Sequence, residues 1–207
     1  MNVGGRDPGD GAATTVGRVV DASKFDLAAA ERAALELLRA IGADVDSPDL
    51  LETPRRVAAS FAQLLTPAEF DATLFPNEGC YDEFVVVRDI QFHTLCMHHL
   101  LPFHGHAHVG YLPGECIIGI SKLARVVEAF ARDLQLQERL TVQIADWLEQ
   151  ELAPRGVGVV LSAEHMCMTI RGVRKPGART VTSAVRGLLR RDARTREEFF
   201  SLVERCG

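Results

Sequence analysis

No segment of this 207-residue chain is long and apolar enough to cross a bilayer; the longest apolar runs, such as Gly156 to Leu161, fall far short of the ~20 residues a spanning helix needs. The N-terminus lacks a charged segment followed by an apolar core, so no secretory leader is expected. A disulfide framework is missing too, because the five cysteines (Cys80, Cys96, Cys116, Cys167, Cys206) are odd in number and scattered. There is no basic excess: 23 Lys and Arg stand against 28 Asp and Glu, a formal net charge of -5, which argues against an electrostatic grip on nucleic acid or an acidic membrane. Internal repeats are absent as well. The expectation is a soluble cytoplasmic protein that partners neither nucleic acid nor membrane, and whose cysteines serve metal binding before disulfides.

What is present is ordinary globular composition, 47% hydrophobic and 25% charged, enough for one good core. The first twenty or so residues are rich in Gly, Ala and Thr without periodicity and read as a flexible arm, with order beginning near Ser23. A helix follows from Asp26, its N-cap, to Gly42, with Leu27, Ala30, Ala34, Leu37, Leu38 and Ile41 as a buried stripe. A second helix runs from Pro54 to Leu65, capped by Thr53. "EFVVVRDIQFHTL" and "HAHVGYLPGECIIGI" read as two antiparallel strands and a short third piece. Ser121 is expected to cap a helix over "KLARVVEAFARDL", and "ERLTVQIADWLEQEL" forms the next. Gly156 to Glu164 and Met166 to Val173 are expected to pair as strands, with "RTVTSAV" as a possible extension. Thr195 and Glu198 suggest a capping box for the last helix. The order is that of an α+β domain, an antiparallel sheet with helices on one face.

Six of the seven histidines lie between His93 and His108, and the seventh, His165, sits two residues before Cys167. Cys96 and His99 have the C-x-x-H spacing that lets a thiolate and an imidazole reach one ion from a tight turn, and Cys167 could supply a second thiolate from a distant strand; the alternative reading is that both cysteines are small buried hydrophobes. That donor set favours zinc, with a fourth position left for water. His98 has two readings, a fourth ligand that closes the site or a proton-transfer group beside it. In "HGHAH" strand alternation puts His104, His106 and His108 on one polar face, and neither they nor His93 receive a role.

Ser121, Lys122 and Arg125 offer a helix start and two cations to phosphate oxygens, and Arg171, Arg174, Lys175, Arg179, Arg186, Arg190 and Arg191 form a second basic run. A small polyanion suits these better than duplex DNA. Gln137 and Glu138 open a helix, where a carboxylate is stabilised and can accept from a ligand.

Four segments in order, "CMHHLLPF", "GYLPGECIIGISKLARVVEAFARDLQLQERLT", "GVGVVLSAEHMCMTIRGV" and "TREEF", resemble the GTP cyclohydrolase I family over about Asp26 to Val203. The resemblance implies the tunnelling fold, ββααββ units whose sheets join into a barrel, here preceded by N-terminal helices. Its boundaries would be an arm over 1–22, a helical region over 23–80 and the catalytic domain over 81–207. It also implies a homo-oligomer, usually a decamer, with sites at subunit junctions. Cys96, His99 and Cys167 match the zinc ligands, and His98 and His165 the two proton-handling histidines. Gln137 and Glu138 match the guanine-binding positions, Ser121, Lys122, Arg125 and Arg171 the ribose and triphosphate region, and Arg56 an arginine that reaches a neighbour's phosphates. The implied reaction converts GTP and water to 7,8-dihydroneopterin triphosphate and formate, opening with attack at C8 by a water that zinc activates. Met97 departs from the family, which most often has Glu there. The rival readings are a relative acting on another purine or pterin or stopping after ring opening, and a non-catalytic zinc-stabilised binding protein.

Overall fold

The computed structural model describes residues 18–204; the expected arm therefore lies outside the described residues up to residue 17, as does Cys206. Two helices come first, α1 (Leu27–Ala40) and α2 (Thr53–Leu65), packed on each other. Asp26 caps α1 as expected, its carboxylate accepting from the Ala29 N–H at 2.9 Å. Thr53 is not a cap: Glu52 holds that position without a side-chain bond, and Thr53 and Pro54 are the first two helical residues. Proline is tolerated there because those N–H groups have no intrahelical acceptor. Half of the stripe expected to be buried on α1 is in the open. Only its Ala34 is buried, while Leu37 is 62% and Ile41 69% exposed. The hairpin is held to the rest of the chain by polar ties instead: Arg18 donates to the carbonyls of Leu65 (3.0 Å) and Ala129 (3.2 Å), and Arg132 to that of Gln63 (2.7 Å).

A small antiparallel pair, β1 (Leu74–Pro76) with β4 (Cys116–Ile118), borders the main sheet. That sheet has the order β5-β2-β3-β6-β7. Its long strands β2 (Val85–Cys96), β3 (Pro102–Leu112), β6 (Gly156–His165) and β7 (Arg179–Gly187) are antiparallel, and the two-residue β5 (Leu134–Gln135) runs parallel to the end of β2. Between the hairpins come α3 (Ile120–Ala131) and α4 (Gln137–Leu152), giving ββααββ as expected. Ser121 lies inside α3, whose cap position is Gly119. Met166 to Val173 is not a strand. Met166–Thr169 makes a single turn, α5, and Gly172 (φ +60°) and Arg174 (φ +47°) bend the chain out of extended geometry, so β6 pairs with β7 alone on that side.

Alternation along the strands sets the core. Phe103, Ala107, Val109 and Tyr111 of β3 point toward α3 and α4, against Val126, Val127, Leu140, Ile144 and Leu148, all essentially inaccessible. His104, His106 and His108 between them face the other way, as read from the sequence. One end of that second face is covered by α6 (Leu188–Arg191) and α7 (Ala193–Glu204), which bury Phe199. Gly110 and Gly158 lie opposite each other in the sheet and make the room: a Cβ on Gly158 would stand 2.5 Å from Phe199 Cε1. The capping box expected at Thr195 is replaced by Asp192, which accepts from both the N–H and the hydroxyl of Thr195 at 2.7 Å. Among the described residues no helix is long and apolar enough to cross a membrane.

Candidate metal centre and active site

The end of the sheet opposite α7 gathers the chemistry. Cys96 is the last residue of β2, and the chain then turns tightly, with the N–H groups of His99 and Leu100 both donating to the Cys96 carbonyl (3.3 and 2.8 Å). The turn is fixed from outside by the Met97 N–H donating to Gln135 O at 3.1 Å, and Leu100 takes φ +54° to complete it. Cys167 arrives from the far side of β3, on the α5 turn that follows β6. The ligand atoms of Cys96, His99 and Cys167 all lie within 4.8 Å of one another. Cys96 Sγ is 3.8 Å from His99 Nδ1. Tetrahedral zinc bonds of about 2.3 Å to sulfur and about 2.0 Å to nitrogen require roughly 3.6 Å between such donors, so Cys96 and His99 stand close to that spacing and Cys167 needs to close by about 1 Å at most. Its chemistry fits zinc: burial, and then the neighbouring Cys96 thiol, push the Cys167 thiol above its ordinary value. Two adjacent thiolates are costly without a cation.

The other residues singled out from the sequence fall into two groups. His98 is exposed, its Nδ1 4.0 Å from Cys96 Sγ. His165 sits at the end of β6, half-buried, stacked on Phe103 with ring centroids 4.3 Å apart and planes 8° from parallel. Burial holds its imidazole below the ordinary value, and the Glu138 carboxylate pulls the other way. Glu138 is exposed in the first turn of α4. Arg171, exposed after α5, is close enough for its charge to favour the Cys167 thiolate. Gln137 is only 2% exposed and its side chain is engaged inside the protein.

Ser121, Lys122 and Arg125 are elsewhere. They occupy the first half of α3, and the helix spans about 18 Å over its 12 residues before β5 reaches Cys96. Arg125 borders a cleft of about 340 Å³ with Gln91, His93 and Glu128. Arg56 stands exposed on α2. The second basic run also divides. Arg186 is paired with Asp146 at 2.7 Å, and Arg190 and Arg191 lie past the opposite end of β7. Phe103, and Thr141 and Thr182, whose hydroxyls bond around Gln137, were not anticipated as site residues. The alternation of "PFHGHAH" could have placed Phe103 on the face shared with His165, whereas the threonines carry no local signal.

Sheet, helix pair and cluster define a tunnelling-fold protein with a metal-ready Cys–His–Cys centre. The model of the family described as GTP cyclohydrolase I matches residues 30–204. The chain is 54% identical over 167 residues to GTP cyclohydrolase 1 of Aquifex aeolicus, covering 81% of this chain and 91% of that protein. It is 52% identical over 180 residues to the enzyme of that name from Thermobifida fusca (84% and 86% covered) and 50% over 181 residues to that of Bacillus subtilis (84% and 94%). The chain belongs to the GTP cyclohydrolase I family, and it is an enzyme of that kind.

Proposed function

We propose that the chain hydrolyses GTP to 7,8-dihydroneopterin triphosphate and formate at a zinc centre formed by Cys96, His99 and Cys167. The observation that carries this reading is the convergence of those three donors, from β2 and from the turn after β6, beside His98 and His165 in a chain about half identical to named GTP cyclohydrolases. When bound, zinc supplies Lewis-acid activation of water at neutral pH. Glu138 accepts from N1–H and the 2-amino group of guanine and so orients C8 toward the metal centre. His98 and His165 move protons at N7 and at the ribose ring oxygen as the imidazole and then the sugar open. Lys122, Arg125 and Arg171, with Ser121, bind the triphosphate, which does not react but positions the base. The loss of a carboxylate at Met97 touches none of these roles.

Two features support an oligomer with sites at subunit junctions. The length of α3 separates Ser121 and Lys122 from their own chain's cluster, so an adjacent copy would supply them. The exposed Leu27, Leu37 and Ile41 of α1, and Val181 on the edge strand β7, are apolar surface that a ring of copies would cover. Free thiols at all four described cysteines suit a reducing cytoplasm. Zinc-loaded protein incubated with GTP should release formate and, after oxidation, a fluorescent pterin in equal amounts. Formate alone would mean a reaction that stops after ring opening. Unchanged GTP would mean a binding protein.

A further inference from the structure

The buried network around Gln137 contains more information than a packing role requires. Its amide nitrogen faces two backbone carbonyls, Thr180 O at 2.9 Å and Leu161 O at 3.2 Å, and the Thr182 hydroxyl at 3.1 Å. A carbonyl only accepts, so the NH2 end must point there and the amide oxygen must point the opposite way. The hydroxyls agree. Thr141 Oγ1 donates to Gln137 O at 2.7 Å, which leaves it to accept from Thr182 Oγ1 at 2.7 Å, and Thr182 is then free to accept from the Gln137 amide. The amide's two hydrogens are shared among these three acceptors, and the contacts together fix which end of the carboxamide is NH2. The amide oxygen at its end lies 2.8 Å from His165 Nε2.

We infer that Gln137 is a positioning residue for His165: the oriented carboxamide keeps the proton on Nε2, and the Phe103 stack fixes the ring plane, so that Nδ1 is the nitrogen that exchanges protons with substrate. An oxygen acceptor facing Nε2 admits only a ring that is protonated there, whether the imidazole is neutral or charged. Gln137 thus acts through His165, its buried side chain being engaged by Leu161, Thr180, Thr182 and His165. This inference rests on the proposed GTP reaction only for its kinetic arm.

The test uses zinc-loaded, fully assembled protein and a double-mutant cycle of Gln137→Met and His165→Ala, with kcat and KM for GTP measured for all four forms. Gln137→Met should lower kcat about 10- to 100-fold with little change in KM, and should have no further effect once His165 is Ala. A raised KM with kcat preserved, or losses that multiply in the double variant, would overturn the inference and make Gln137 a direct substrate contact. A neutron structure of the unaltered protein gives an answer that depends on neither folding of the variants nor turnover. Deuterium on His165 Nε2 facing Gln137 Oε1 is expected, and a bare Nε2 with deuterium on Nδ1 overturns it. Wild type that leaves GTP untouched would defeat the GTP reading, while the neutron map would still decide the tautomer.

Discussion

Stripping the metal from the cluster and oxidising the protein should join Cys96 to Cys167. Their sulfurs belong to a set of donors no more than 4.8 Å apart, and a disulfide needs about 2.05 Å, so they must close by at most roughly 2.8 Å. The movement is local: Cys96 ends a strand before a tight turn and Cys167 sits on a single helical turn. The bridge would close a loop of about 70 residues, for which the chain-entropy relation gives about 4 kcal/mol of stabilisation over the reduced, metal-free form. With a urea slope of about 2 kcal/mol/M, that moves the unfolding midpoint up by roughly 2 M. The assay is chelation, oxidation by diamide (which takes up the two electrons and two protons), alkylation under denaturing conditions, and urea unfolding at fixed protein concentration. Cys80, Cys116 and Cys206 should be alkylated and the other two protected. Full alkylation of Cys96 and Cys167 after oxidation would refute the proximity on which the metal centre rests.

Three further outcomes are expected. Gly158→Ala forces a methyl against three Phe199 ring atoms at 2.5–2.7 Å, and should cost about 1–3 kcal/mol in chemical unfolding, most of it recovered when Phe199 is also made smaller. Glu138→Gln loses the charge-assisted contact with guanine and should raise KM for GTP about 10- to 100-fold, read by steady-state kinetics. Burial holds His165 and His108 below the ordinary value of 6.5, so the unfolded chain takes up protons first. Metal-free protein should therefore lose stability as pH falls below about 6.5 and level off below the folded-state values, seen as a falling urea midpoint between pH 7.5 and 5.5.

The order ββααββ was legible because strand alternation and helical stripes report burial within one chain, as in Phe103 to Tyr111 and Leu123 to Phe130. The candidate donors Cys96, His99 and Cys167 were legible because a C-x-x-H pair with a distant cysteine serves few chemistries, and the fold brings the three within 4.8 Å of one another. The α1 stripe misled for a physical reason: periodicity shows that Leu37 and Ile41 belong on an apolar face, and says nothing about whether the same chain covers it. The β-rich look of Met166 to Val173 lost to the α5 turn, which ends β6 at His165, and Gly172 with its positive φ then bends the chain further out of extended geometry. The role of Gln137 was hidden because its partners, Leu161, Thr180 and Thr182, are brought to it only by the pairing of β6 with β7.

His98→Ala tests the central claim most directly, with zinc content and GTP turnover measured on the same preparation. An open centre held by Cys96, His99 and Cys167 predicts one zinc per chain, as in wild type, and turnover reduced about 10²- to 10⁴-fold. Zinc lost together with turnover would make His98 a fourth ligand of a closed, structural site, and zinc kept with turnover intact would remove His98 from the proton chemistry.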